Sequence, residues 1–153
     1  MRLLELGGER IPTLVGAKYS TTSISELQLA LELAGGRFNL LFGADEMLLS
    51  ALVVGVHGAV GSTYNFAAPL YRRIIAAVAR CNLPEARRCQ ALAARMVQVL
   101  LQHRGNPAIK AMMKLTGLDC GGTRLPQQAL SAAEEASLEA AMREIGFFEW
   151  GRS

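Results

Sequence analysis

The chain has 153 residues, with 51% hydrophobic and 19% charged, enough for one domain with a real core and too apolar for a disordered chain. Its net charge is +3, and the basic residues are scattered (Arg72-Arg73, Arg87-Arg88, Lys110, Lys114) without interleaved aromatics, which argues against a nucleic-acid partner. The longest apolar stretch, around Met47 to Val56, is too short to span a bilayer, and Met1-Arg2-Leu3-Leu4 runs into Glu5 with no signal peptide, so the reading is of a soluble, cytoplasmic protein.

In chain order, Met1 to Leu6 reads as the last turns of a helix stopped by Gly7-Gly8. Thr13 to Tyr19 is a buried strand ending in Lys18, Tyr19 and Ser20. Ser23-x-x-Glu26 is a capping box that opens a helix filled by Ile24, Leu27, Leu29, Leu31 and Leu33, with Gly35-Gly36 as its stop. Phe38 to Phe42 is a second strand, a continuous apolar run of the kind found where both faces are covered. Gly43-Ala44-Asp45 then turns the chain into a helix from Glu46 to Gly55, and Gly58 to Gly61 forms a short third strand. From Phe66 a helix carries Leu70, Ile74, Ile75 and Val78 on one face.

Three further helices follow: one opened by Pro84 and running to His103, one from Asn106-Pro107 to Gly117, and one from the capping box Ser131-x-x-Glu134 to Ile145. Cys120 to Pro126 is a loop, and the tail from Phe147 to Ser153 is expected to dock loosely. Cys81, Cys89 and Cys120 are odd in number and lack CxxC spacing, so they read as reduced, buried thiols. His57 and His103 have no ligand-spaced partner, and neither a metal nor any other cofactor is expected. Met96, Met112 and Met113 read as core filling.

Strands alternating with helices imply parallel strands and right-handed crossovers. The fold class is α/β: the C-terminal part of a (β/α)8 barrel, with a partial barrel at 1–80 and a three-helix C-terminal extension at 81–153 packed on it as one domain. Three parallel strands leave two unpaired edges. In such a barrel the carboxyl ends of the strands surround one mouth, so Lys18, the Gly43-Asp45-Glu46 cluster and the Gly61-Ser62-Thr63-Tyr64-Asn65 cluster converge there. A lysine held there among apolar neighbours loses hydration, which lowers its pKa and frees the amine as a nucleophile for a Schiff base. Asp45 also suits the N-cap of the helix that follows it, with Glu46 favourable to that helix's dipole. Ser62 and Thr63 also suit ordinary turn positions, and Gly61 a backbone that needs freedom.

Gly16-Ala17-Lys18-Tyr19-Ser20, Phe42-Gly43-Ala44-Asp45-Glu46 and Gly58-Ala59-Val60-Gly61-Ser62-Thr63-Tyr64-Asn65 resemble the N-acetylneuraminate lyase branch of the pyruvate-dependent class I aldolases, within the dihydrodipicolinate synthase family. The resemblance continues through Asn106-Pro107-Ala108-Ile109-Lys110 and Arg124-Leu125-Pro126. It implies that Lys18 is the Schiff-base lysine, that Ser20 lines the same pocket, and that Gly43, Asp45, Glu46 and Ser62 bind the polyhydroxylated part of a 2-keto sugar acid. Gly43 would act through its backbone. The family's first five strands are missing, and with them a glycine-serine/threonine motif for the substrate carboxylate and a proton-transferring tyrosine that neither Tyr19 nor Tyr64 matches. The chain therefore reads as the C-terminal half of a lyase, with a homo-oligomer or a complementing N-terminal half as its expected partner besides pyruvate and the sugar acid. The alternatives are an interaction module that pairs through its open sheet edges, and a related pyruvate aldolase with another acceptor.

Overall fold

The computed structural model describes residues 2–150. The three strands form one parallel sheet in the order β1 (Gly16–Tyr19), β2 (Asn39–Phe42), β3 (Gly58–Ala59), each joined to the next through helix, as parallel strands require. Lys18 lies opposite Leu41, and Tyr19 opposite Phe42. Two further bonds run past the strand ends: Gly43 N–H donates to Tyr19 O at 2.8 Å, and Val60 N–H to Phe42 O at 2.8 Å. These bonds carry the pairing into the three loops that hold the site.

The first helix, α1 (Arg2–Arg10), runs straight through Gly7-Gly8, where the sequence predicts a stop; Met1, the start of that expected segment, lies outside the described residues. The glycines serve packing instead. A Cβ on Gly8 would lie 2.7 Å from Phe38 Cζ and one on Gly7 2.8 Å from Leu14 Cδ2, and Arg37 Nη2 donates to Gly8 O at 3.0 Å. β1 is shorter than expected because only Gly16 to Tyr19 has a strand beside it.

Helix α2 (Ile24–Glu32) is capped by Ser23, whose hydroxyl accepts from the Glu26 amide at 3.4 Å. Its buried residues are Leu27 and Ala30; Leu29, expected inside, is 56% exposed because two residues on from Leu27 is the opposite side of a helix. After a 3-10 turn at Leu33–Gly36 comes β2, whose Leu40 and Phe42 are fully buried. Past β2 a 3-10 turn at Asp45–Met47 precedes the short helix α3 (Leu48–Val53). Gly55, at φ +95°, ends it.

Beyond β3, α4 (Tyr64–Ala79) begins two residues before Phe66 and kinks at Ala67, two residues before Pro69. Its inner face is Leu70, Tyr71, Ile74 and Ala77, whereas Ile75 is 43% exposed. α5 (Leu83–Gln102) starts from an Asn82 cap with Pro84 in its first turn, α6 (Asn106–Leu115) follows, and α7 (Ala132–Glu144) opens on the Ser131–Glu134 capping box. α8 (Phe147–Trp150) closes the described chain. Phe147 is fully buried against Phe66, Phe148 and Trp150, so this part of the tail is docked firmly rather than loosely; residues 151–153 lie outside the described residues.

Two apolar cores result. One lies around α2 and β2, with Leu27, Phe38, Leu40, Phe42 and Ala51. The larger joins Leu48 and α4 to α5, α6, α7 and α8 through Ile74, Met96, Met112, Leu138 and Phe147. Cys89 is buried, but Cys81 and Cys120 are exposed: one follows the end of α4 and the other sits in the loop after α6, where no core reaches them. Among the described residues no helix is long and apolar enough to cross a membrane. Among the described residues nothing pairs with either outer edge of the sheet, and beside the β1 edge Val15 is 75% exposed.

Candidate functional site

One cleft of about 220 Å3 opens at the carboxyl ends of the three strands, and Lys18, Gly43, Asp45, Glu46 and Ser62 all line it. Gly61 and Thr63 complete its strand side. Its other wall comes from the helices: Val97, Leu100 and Leu101 of α5, with Gly105, Asn106 and Ile109 at the start of α6. No strand-end motif in the sequence points to that wall, because it depends on how α5 and α6 pack back over the sheet. Ser20 sits at the rim: a Cβ on Gly43 would lie 2.4 Å from both Ser20 Oγ and Lys18 Cε. Glycine at position 43 is what lets the lysine and serine chains cross the end of β2.

Lys18 itself is exposed. The loss of hydration expected from a strand-end lysine is not present here, for a geometric reason. β1 is the edge strand, and among the described residues no strand pairs with it on the side away from β2. Ser20 and Ser62 are exposed as well, and Glu46 is half-buried.

Asp45 is different. It is only 6% exposed, and its Oδ2 accepts from the Thr63 backbone N–H at 3.1 Å and from Thr63 Oγ1 at 2.5 Å. The expected role as N-cap of the next helix is therefore replaced. The Asp45–Met47 turn intervenes before α3, and the carboxylate reaches across to the start of α4. Glycine at 61 makes this possible, since a Cβ there would stand 1.6 Å from Asp45 Oδ1. That Oδ1 is buried and has no hydrogen-bond partner.

Behind Thr63 lies Tyr71, fully buried, its hydroxyl 2.6 Å from Thr63 Oγ1. Tyr64 packs against it with the rings tilted at 57° and their centroids 4.1 Å apart, and the Tyr64 hydroxyl is buried without a partner. Burial first, then the negative charges of Asp45 and Glu46, push ionisation of Tyr64 far above the ordinary phenol range; burial does the same for Tyr71 against the opposing pull of its Thr63 bond. From below, Gln90 of α5 clamps the Asp45–Met47 turn, accepting from Leu49 N–H at 2.7 Å and donating to Asp45 O at 3.3 Å. Tyr71 and Gln90 are absent from the sequence expectation; each looks there like an ordinary residue of an amphipathic helix.

His57 is occupied, its Nδ1 accepting from Leu40 N–H at 3.3 Å, and His103 holds Val99 O and Ser137 Oγ at 2.8 and 3.2 Å. Among the described residues no group of three or more His, Cys, Asp or Glu is placed to hold a metal ion.

A parallel α/β unit with a lysine, carboxylates and hydroxyls gathered at its strand ends is the C-terminal part of a (β/α)8 barrel of the aldolase type. The chain belongs to the dihydrodipicolinate synthetase family, which matches residues 6–145. It is 31% identical over 134 residues to the N-acetylneuraminate lyase of Rhizobium meliloti (strain 1021), covering 88% of this chain and 44% of that protein. To the N-acetylneuraminate lyase of Gallus gallus it is 37% identical over 130 residues, covering 83% and 42%. The solved structure of the Proteus mirabilis N-acetylneuraminate lyase superposes with a TM-score of 0.90 at 34% identity, covering 95% of this chain and 50% of that one. The chain thus spans about half the length of the relatives it matches.

Proposed function

We propose that this chain is the C-terminal half of a class I aldolase that cleaves N-acetylneuraminate reversibly to pyruvate and N-acetylmannosamine, working together with a segment that supplies the remaining barrel strands. The observation that carries the reading is the shared cleft: five of the six strand-end residues, Lys18, Gly43, Asp45, Glu46 and Ser62, line one cavity. In this reading Lys18 Nζ, as the free amine, adds to the C2 ketone and water leaves, giving an iminium. The C3–C4 bond then breaks, its electron pair flows into the iminium to give the enamine, and C4 departs as the aldehyde carbon once its hydroxyl proton is removed. Protonation at C3 and addition of water release pyruvate and the lysine.

Glu46, Asp45 and Ser62 would hold the hydroxyls of the sugar chain, Gly43 would present its backbone, and Ser20 would border the lysine. Lys18 is exposed in the chain, so a segment laid along the β1 edge is what would dry the amine and tune it for attack. The chain would divide near residue 80 into the barrel part and a helical extension sharing one core. Its three free cysteines suit a reducing compartment such as the cytoplasm.

The test is cleavage, assayed with N-acetylneuraminate and with shorter 2-keto acids, by the chain combined with the N-terminal half of the Proteus mirabilis lyase. Selective cleavage of the nine-carbon acid upholds the reading, and equal turnover of short 2-keto acids replaces it with a related pyruvate aldolase. A second reading, an interaction module, is favoured by the bare β1 edge and the exposed Val15. It predicts a stable homodimer that takes up neither pyruvate nor sugar.

A further inference from the structure

Three polar groups behind the cleft, the Asp45 carboxylate and the Thr63 and Tyr71 hydroxyls, form a chain whose direction is fixed by proton count. A carboxylate only accepts, and a threonine hydroxyl has one hydrogen to give. Thr63 Oγ1, 2.5 Å from Asp45 Oδ2, gives its hydrogen there, so the 2.6 Å contact behind it is donated by Tyr71. Burial keeps the Tyr71 hydroxyl protonated, and the donation does not reverse with pH in the working range. The Thr63 amide adds a second donor to the same Oδ2. Thr63 and Tyr71 are 3% and 1% exposed, so their hydroxyls are consumed inside the protein and do not reach a ligand.

This chain of bonds joins the loop after β2 to the loop after β3. Asp45 is followed at once by Glu46, and Thr63 is preceded at once by Ser62, so tying 45 to 63 fixes the positions of Glu46 and Ser62 relative to each other in the lining of the cleft. Gln90 fixes the Asp45 backbone from the α5 side, and Gly61 leaves the room that the carboxylate needs. Lys18 stands on β1, outside the chain of bonds.

We propose that Thr63 and Tyr71 are positioning residues for the sugar-binding side of the cleft, acting through Asp45 to hold Glu46 and Ser62 at the separation a polyhydroxylated ligand needs. The proposal rests on the reading of the cleft given above. It separates two functions within one cavity: pyruvate capture at Lys18 is independent of the chain of bonds, and sugar affinity depends on it.

The experiment uses the isotope-labelled chain and its Tyr71→Phe, Thr63→Val and Thr63→Ser variants, each combined with the N-terminal half of the Proteus mirabilis lyase. N-acetylmannosamine is titrated in and read by NMR, pyruvate capture is read by borohydride labelling of Lys18, and the Asp45 13Cγ signal is read with no ligand added. Tyr71→Phe and Thr63→Val are expected to weaken sugar binding about fivefold to tenfold, the effect of one hydrogen bond. Thr63→Ser, which keeps the hydroxyl, should stay within about twofold of the parent on the same scale. Pyruvate labelling should be the same in every variant, and Tyr71→Phe should move the Asp45 signal although the two side chains share no bond. Equal losses of sugar binding and pyruvate labelling would mean a structural role only and overturn the proposal. A moved Asp45 signal with unchanged sugar affinity would overturn it while leaving the reading of the cleft intact. A parent complex, chain plus N-terminal half, that takes up no sugar would overturn both.

Discussion

Replacing Gly61 with alanine puts the packing of the site under the most direct stress. The added Cβ would stand 1.6 Å from Asp45 Oδ1, 2.3 Å from Cγ and 2.5 Å from Oδ2, all inside the 3.0 Å that real Cβ atoms essentially never cross. Either the buried carboxylate leaves its place or the end of β3 moves. Overpacking of this kind costs about 1–3 kcal/mol, and loss of one charged hydrogen bond to Thr63 adds about 1.5–3 kcal/mol. A total of about 2.5–6 kcal/mol lowers the melting temperature by about 5–24 °C in a chain of this size. Gly55→Ala is the control. Its φ is +95° but nothing lies within 4 Å, so only backbone strain of about 1–2 kcal/mol applies. Thermal and urea unfolding by circular dichroism measure both variants. A Gly61→Ala protein as stable as the parent, or more stable than Gly55→Ala, would refute the close packing of Gly61 on Asp45.

Ile74→Ala, at a fully buried position in the larger core, should cost about 2–5 kcal/mol in urea unfolding. Ser131→Ala should cost about 1 kcal/mol, since it removes the hydroxyl that accepts from the Glu134 amide at the start of α7, and Ser131→Thr should recover most of it. The Glu85 carboxyl is held down at about 2 by hydrogen bonds from Arg88 first, then Arg73 and Cys89. The folded value lies below the ordinary 4.5, so this stabilisation is complete above about pH 5 and is lost as pH falls toward 2. Glu85→Gln should therefore flatten the stability-against-pH curve between pH 5 and 2, and an unchanged slope would count against the Arg73–Glu85–Arg88 cluster.

What was legible in the sequence is what depends on near neighbours. The Ser23 and Ser131 caps act within three residues, and both helices start where the spacing predicts. The strand ends could be read because parallel α/β topology brings all three to one side, and five of the six candidate residues do share a cleft. What stayed hidden depends on contacts distant in sequence. Gly7-Gly8 looks like a helix stop until Phe38 and Leu14 are seen packed on it. Asp45 looks like a helix cap because nothing local reveals Thr63, eighteen positions away, as the partner of its carboxylate. Tyr71 looks like plain core, although its hydroxyl completes the chain of bonds behind the site. The exposure of Lys18, Cys81 and Cys120 likewise depends on which surfaces are covered, a property of the assembled fold rather than of any short stretch.

The central claim is that Lys18 is the amine that captures pyruvate. It is tested by incubating the chain, combined with the N-terminal half of the Proteus mirabilis lyase, with pyruvate and borohydride, then mapping the reduced adduct by peptide mass spectrometry. The account predicts one pyruvate-derived group on the peptide that contains Lys18, and none there in Lys18→Arg. An assembled, folded complex whose Lys18 peptide stays unmodified, or whose label falls on Lys110 or Lys114 instead, would contradict it.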